Sequence, residues 1–326
     1  MKKVFSLILP FISYACLAQQ VYKKAEPLAH TFSIVARDPA TGQMAVAVQS
    51  HWFSVGTSVI WAKSGVGVVA TQSFIKKSYG PMGLRLMEQG KSPQDALDQL
   101  LKADPGREVR QVAFLNTKGQ SAVYTGKSCI TYATDIHGAD FSVQSNMMLT
   151  NQVSNTMKAA FLKYTDLPLA ERVMECLKAA QAAGGDIRGR QSAAILVVSG
   201  TPVKESWDDK LVDLRVDDSP NPIPELARLL KLQRAYEHMN NGDLQVEKNN
   251  MPKAMAEYSA AEKMFPENLE MQYWHAITLA NNKGIKQAAA MLKKIYAKDS
   301  NWRELTKRLP KAGQLTVSAD DLKLLL

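Results

Sequence analysis

From residue 31 onward, apolar and polar positions fall into short runs of strand character separated by longer runs of helical period. Thr31 to Ala36 predicts a strand, Asp38-Pro39-Ala40-Thr41-Gly42 a turn, and Gln43 to Ser50 a second strand, together a hairpin. Thr57 to Ala62 and Val66 to Gln72 are rich in valine and small residues, which suits strands covered on both faces. Tyr79-Gly80-Pro81 reads as a break before a helix from Met82 to Gln89, which Gly90 ends. Ser92-Pro93-Gln94-Asp95 opens another helix: Ser92 caps it, Pro93 takes its first position, and Asp95 meets the positive end of its dipole. The apolar face of that helix is Ala96, Leu97, Leu100 and Leu101. Strands return at Gln111 to Leu115 and Ala122 to Tyr124, and Ser142 to Met148 predicts one more. Helices over Asn155 to Lys163 and Pro168 to Ala183 follow, the second ended by Gly184-Gly185. Ala193 to Val198 and Leu211 to Val216 close the region as strands. Strands segregated from helical pairs predict an α+β domain over residues 31–216.

Asp217-Asp218-Ser219-Pro220-Asn221-Pro222 has linker composition, so residues 217–223 join this domain to a tail, residues 224–326, with helical patterning. In the tail, Ala254, Tyr258, Ala261 and Pro266 take the small, aromatic, small and proline positions of the second helix of a tetratricopeptide repeat. Gly242 fits the preceding small position. About 34 residues later Ala276 and Ala288 fall in register, while Leu292, Ile295 and Ser300 follow the pattern loosely. The tail predicts a small all-α module of stacked helices, either a binding surface or a helical cap.

The first residues change the setting. Lys2 and Lys3 precede an apolar run, Val4 to Ala18, too short to span a bilayer. Cys16-Leu17-Ala18 places small residues where a signal peptidase reads them, so residues 1–18 predict a cleaved signal peptide and an exported, periplasmic or secreted chain starting at Gln19. A lipoprotein signal with Cys16 lipidated is the rival reading; Ser13 stands where a branched aliphatic residue is usual. No later segment is apolar enough to span a membrane. The formal net charge is +9, two of it in the leader, and the basic residues are scattered without an aromatic-basic stripe. That excludes an evident nucleic-acid interface. Cys129 and Cys176 predict two buried thiols, with a disulfide as the alternative in an oxidising compartment.

Thr125-Gly126-Lys127-Ser128 looks like the end of a phosphate-binding loop, but Ser121 stands where that loop needs glycine. No Gly-x-Ser-x-Gly, His-Glu-x-x-His or Cys-x-x-Cys motif occurs, and the five histidines lack metal-ligand spacing, so no cofactor is called for. What remains is a set of polar runs at strand ends: Gln49-Ser50-His51, Thr71-Gln72-Ser73, Gln144-Ser145-Asn146 and Asp186 to Ser192. Each alone reads as strand-end hydrogen bonding; four in one domain point to a shared site.

Thr31-Phe32-Ser33-Ile34-Val35-Ala36-Arg37-Asp38-Pro39, Ala47-Val48-Gln49-Ser50, Ser78-Tyr79-Gly80-Pro81, Asp104 to Val112 and Gly185 to Ala194 together resemble, in order, the family called domain of unknown function 1028. The tail resembles a helical segment that often follows that domain and has been labelled peptidoglycan-binding. The family in turn resembles the N-terminal-nucleophile hydrolases, which implies a four-layer αββα sandwich followed here by the all-α, tetratricopeptide-like tail. It implies a nucleophile at the head of the first strand, Thr31, whose free α-amine acts as base toward a linear, peptide-like amide. Substrate contacts are then expected from Ser33, Gln49, His51, Gln72, Asn146, Asp186, Arg188, Arg190 and Gln191, with Gln72 or Asn146 near the oxyanion and Arg188 and Arg190 holding a carboxylate, or else paired internally with acids such as Asp186. One departure stands out. Signal cleavage leaves Gln19 to His30 ahead of Thr31, so a second cut at His30–Thr31 is needed to free the amine. The alternative is a non-catalytic scaffold whose tail holds cell-wall polymer or a protein. The sequence leaves the oligomeric state open, a homo-oligomer included.

Overall fold

A computed structural model describes residues 28–326. The predicted signal peptide and residues 19–27 of the predicted leader remnant lie outside the described residues. The chain enters through β1 (Leu28–Ala29), β2 (Thr31–Arg37) and β3 (Met44–Ser50), then β4 (Ile60–Lys63) and β5 (Gly67–Phe74). Helices α1 (Tyr79–Glu88) and α2 (Pro93–Lys102) follow, then β6 (Arg110–Asn116), β7 (Ser121–Thr125), β8 (Thr134–Gly138) and β9 (Phe141–Ser145). After α3 (Val153–Lys163) and α4 (Leu169–Ala182), β10 (Ser192–Val198) and β11 (Lys210–Val216) complete the strands.

Every strand pairing is antiparallel. One sheet runs β11-β10-β3-β2-β9-β8; the other runs β1-β5-β6-β7, with β4 also on β5. The sheets pack face to face. Val35, Met44, Val46 and Val48 of one meet Val68, Ala70, Ala113 and Leu115 of the other in a shared core. The alternate residues Val69, Val112 and Phe114 point the other way, onto Leu84, Met87, Leu97 and Leu100 of α1 and α2. Helices α3 and α4 pack on the outer face of the first sheet, against β2, β3 and β9. The layers are therefore helices, sheet, sheet, helices: an α+β sandwich in which β2, β3 and β5 are covered on both faces. That meets the expectation for β5 but not for β4, an edge strand whose Trp61 and Ala62 are only half-buried.

The predicted hairpin joins β2 to β3 with Thr31 opposite Ser50. Ser92 caps α2, accepting from the Asp95 amide at 3.1 Å. Three expectations are corrected. Tyr79-Gly80-Pro81 forms the first turn of α1 rather than a break, because a proline in the first turn needs no amide partner. Residues 57–59 leave the strand, and a short 3-10 turn spans Val55–Thr57. Residues 146–148 leave β9, and Met147 takes a φ of 59°. The strands β1 and β8, absent from the sequence reading, are short and largely lack its apolar alternation. Cys176 is buried, its thiol pushed up to about 12 by burial. Cys129 is only half-buried, and both are free thiols.

Residues 227–326 form a second compact unit. It takes in most of α5 (Pro222–Glu247), then α6 (Met251–Met264), α7 (Leu269–Asn281), α8 (Ile285–Lys298), α9 (Asn301–Arg308) and α10 (Ala319–Leu325). The small and aromatic positions singled out in the sequence are buried: Ala254, Tyr258, Ala261, Ala276 and Ala288. Gly242 lies against the Tyr258 ring, where a Cβ would collide with it. Among the described residues no helix is long and apolar enough to cross a membrane.

One buried ion pair ties the helices to the end of β5. Asp104 accepts from Arg110 Nε at 3.0 Å and from the Tyr79 hydroxyl at 3.1 Å, and Lys76 lies 3.2 Å away. Arg110 Nη1 in turn donates to the Phe74 carbonyl at 2.8 Å. Burial alone would raise the Asp104 pKa, but the hydrogen bonds and charge of Arg110 hold it below the usual carboxylate range. Asp104→Ala removes the acid from a buried guanidinium. It is expected to cost about 3–5 kcal/mol, read as a lowered urea midpoint with an unchanged slope.

Candidate functional site

Strand alternation places Thr31, Ser33 and Val35 toward the gap between the sheets, and Phe32 and Ile34 toward the helix layer. At the Thr31 end the apolar core gives way to amides and hydroxyls. Gln72 is their centre. Its Oε1 accepts from the Ser33 hydroxyl at 2.6 Å, and its Nε2 donates to Gln111 Oε1 at 2.7 Å and to the Thr31 carbonyl at 3.3 Å. Gln144 Nε2 donates to Ser33 Oγ at 2.6 Å, and Asn146 Nδ2 to Gln111 Oε1 at 2.9 Å. All these residues are buried. Such a network rigidifies its members because each amide orientation fixes the next.

The chain ahead of Thr31 closes this pocket. β1 pairs with the end of β5, Leu28 opposite Phe74 and Ala29 opposite Ser73. Ser73 sits at a φ of 70°, a left-handed conformation that costs a non-glycine residue about 1–3 kcal/mol. His30 follows, fully buried, its ring edge-on to Phe74 with centroids 6.0 Å apart. Its Nδ1 lies 2.5 Å from Asn146 Oδ1. Since Asn146 Nδ2 is spent on Gln111, Oδ1 is the acceptor and His30 carries its proton on Nδ1. Nε2 is then a bare acceptor, and it has no partner. Burial pushes the His30 pKa below its ordinary value, and the Arg188 charge adds to this, against the hydrogen bond to Asn146.

The carbonyl of His30, half of the His30–Thr31 peptide bond, is held by two donors. Ser50 Oγ lies at 2.6 Å and Arg188 Nη2 at 2.9 Å. Arg188 is aimed by Asp186, which takes its Nε at 3.0 Å, its Nη2 at 2.7 Å and its backbone amide at 2.9 Å. Gly189, at a φ of 119°, lets the chain turn back from Arg188 into β10. A hydroxyl and a guanidinium on one carbonyl oxygen draw electron density from its carbon and stabilise negative charge developing on that oxygen. Thr31 Oγ1, on the next residue, donates to the Ala29 carbonyl at 3.2 Å.

The structure thus brings together Thr31, Ser33, Gln72 and Asn146, and reaches them with Arg188 and Asp186 through the His30 carbonyl. The Arg188 fork is committed to Asp186, the internal pairing that stood as the alternative to a carboxylate clamp. Four residues of the sequence reading lie elsewhere. Gln49 alternates with Val48 and so faces the helix layer, its side-chain amide buried without a partner. His51 is exposed and reaches the site only by its backbone amide, 3.0 Å from Asp186 Oδ2. Arg190 is exposed with Nη1 3.4 Å from Asn221 Oδ1, and Gln191 Nε2 donates to Asp218 Oδ1 at 3.2 Å. Gln111 was missed, and Ser50 and Gln144, though inside the polar runs, were not singled out as site residues. Hairpin register could have found Ser50, and a glutamine inside an apolar strand the other two.

Among the described residues no three His, Cys, Asp or Glu side chains gather as metal ligands. An open cleft of about 770 Å³ lies at the other end of β5, where Lys63 pairs with Gly67. Lys63 there is neutralised by Glu88 at 2.6 Å, and the cleft collects no buried polar network, so the Thr31 end is the stronger candidate.

The His30 environment makes stability pH-dependent. The unfolded chain takes up a proton near pH 6.5 that the folded chain resists, so this contribution is full above that value and is lost as pH falls below it. Denaturant midpoints from about pH 7 to about pH 5 are expected to fall, and to fall less in His30→Asn, which has no titrating group.

No curated protein matches the chain. A solved crystal structure of a DUF1028 protein from Silicibacter pomeroyi is similar to it, with a TM-score of 0.56 and 31% identity, over 62% of this chain and 88% of that one. A family model described as a family of unknown function (DUF1028) matches residues 31–226, a span that opens on Thr31 and takes in every strand but β1. The chain belongs to the DUF1028 family.

Proposed function

We propose that this protein is an exported amidohydrolase of the N-terminal-nucleophile type, with Thr31 as nucleophile and its α-amine as base. The observation that carries the reading is the His30 carbonyl, held by Ser50 and Arg188 immediately before Thr31. Those donors suit two successive reactions. First, Thr31 Oγ1 attacks the His30 carbonyl carbon. The oxyanion forms against Ser50 and Arg188, the C–N bond breaks, and the amine of Thr31 takes the proton while an ester joins residue 30 to Oγ1. Water hydrolyses the ester and leaves a carboxyl at His30 and a free amine at Thr31. In the second reaction that amine takes the Oγ1 proton as the hydroxyl attacks a substrate amide. An acyl ester forms, the substrate amine departs with the proton, and water releases the acid. Signal cleavage after Ala18 precedes both.

The second reading is a non-catalytic binding protein whose helical unit holds cell-wall polymer or a protein. The helical tail and the residues Gln19 to His30, which precede Thr31 after the predicted signal cleavage, favour it, because without a second cut Thr31 has no free amine.

Intact mass of the exported protein separates the two. A species beginning at Thr31 is expected, absent in Thr31→Ala and formed about 10²–10³ times more slowly in Arg188→Met, which loses one oxyanion donor. An amide-cleaving chain that begins at Gln19 and never at Thr31 would overturn the free-amine mechanism.

A further inference from the structure

We infer that the acyl side of this site takes an extended peptide carrying a small residue and then a hydrogen-bond-donating imidazole or carboxamide side chain before the cleaved bond, the chain's own Leu28-Ala29-His30 being its first occupant. Cleavage rests on the hydrolase reading; binding does not.

Three independent features of the pocket define the ligand. The first is the backbone. On one edge of β5, residues 67–70 are covered by β4, while Ser73 and Phe74 are covered by β1. Departure of residues 28–30 uncovers a short sheet edge, and such an edge binds another extended chain through main-chain hydrogen bonds, with pockets for alternate side chains giving specificity. The second is the side-chain slot. Asn146 Oδ1 points at the ring of His30, and Asn146 cannot turn its amide over because Nδ2 is held by Gln111 Oε1 at 2.9 Å. A ligand entering the slot must therefore supply a donor, which His, Gln and Asn do and aliphatic or acidic residues do not. The Phe74 edge favours a planar group there. Ala29, fully buried in the core between the sheets, restricts the preceding position to small residues, whereas Leu28 is half-exposed and unselective. The third is the carbonyl, held by Ser50 and Arg188 as any acyl oxygen would be.

The pocket that aligns His30 for the first cut is thus the subsite for later substrates. An acyl group lacking the donor leaves Asn146 Oδ1 buried and unpaired, a penalty that corresponds to about tenfold or more in affinity. The chain beginning at Thr31, its far-ultraviolet dichroism checked against the full chain, is titrated with the free acids acetyl-Leu-Ala-His and acetyl-Leu-Ala-Leu. Binding of the histidine peptide about tenfold or more tighter is the expected result; equal affinity, or no binding of either, overturns the inference. The p-nitroanilides of the same peptides separate it from the hydrolase reading. Histidine-selective binding without hydrolysis supports the subsite and counts against Thr31 as nucleophile. Equal hydrolysis of both anilides overturns the subsite and keeps the hydrolase. Should residues 31–326 fail to fold, the slot's own occupant is varied in the full chain instead. His30→Gln is expected to keep hydrogen-exchange protection over residues 28–30 and His30→Leu to lose about tenfold; equal protection overturns the proposal.

Discussion

Two sheets face each other across a gap that excludes water, and every polar group placed there must find its partner inside the gap. Most of the gap meets this requirement with valine, alanine and leucine. At the Thr31 end it is met by side-chain amides, and Gln72 is the member on which the others depend. It binds the Thr31 carbonyl, Ser33 and Gln111 at once, and so joins β2, β5 and β6 across the two sheets. A one-residue slip of β2, β5 or β6 against its neighbours within a sheet would turn that strand's polar side chains into the helix layer and leave their partners unpaired. The network thus fixes how the sheets stand against one another, and with that the position of Thr31.

The remaining parts of the site are supports for that arrangement. The β2–β3 hairpin brings Ser50 opposite Thr31. The glycine-rich loop after α4 carries Asp186, which holds three donors of Arg188 and leaves Nη2 directed also at the His30 carbonyl. The Asp104–Arg110 pair fastens the Phe74 carbonyl and thereby the end of β5 on which residues 28 and 29 lie. The three supports are far from one another in sequence. Each is held by an element whose own packing is apolar, which lets a polar site be rigid without each of its members supplying stability.

His30 shows why burial and chemistry are linked here. A charged imidazole in that slot would stand close to a guanidinium and away from water, so the ring stays neutral with its proton on Nδ1. Neutrality removes repulsion from Arg188, whose Nη2 is shared between Asp186 and the His30 carbonyl. The same slot supplies an acceptor, an aromatic edge and a main-chain edge, which makes residues 28–30 resemble a bound ligand more than a connecting segment.

The α+β composition, the hairpin, the capped helix at Ser92 and the buried helix-pairing positions Ala254, Tyr258 and Ala261 were legible in the sequence, because they follow from local patterning and from turn and cap chemistry. Thr31 at the head of a strand was legible too, and so were Ser33, Gln72 and Asn146. Gln49 was not separated from Ser50, since the choice between two adjacent polar residues rests on the register of β2 with β3, which places Ser50 opposite Thr31. His51, Arg190 and Gln191 looked equally suitable, and the fold turns them outward. β1 lacked a sequence signal, since two residues carry no periodicity and gain their strand geometry from the edge of β5. The sequence by itself determined most of the elements and the nucleophile candidate, for these depend on neighbours along the chain. The tertiary structure decided which polar groups share the gap and what holds the His30 carbonyl, for both depend on contacts between residues 20 to 158 positions apart.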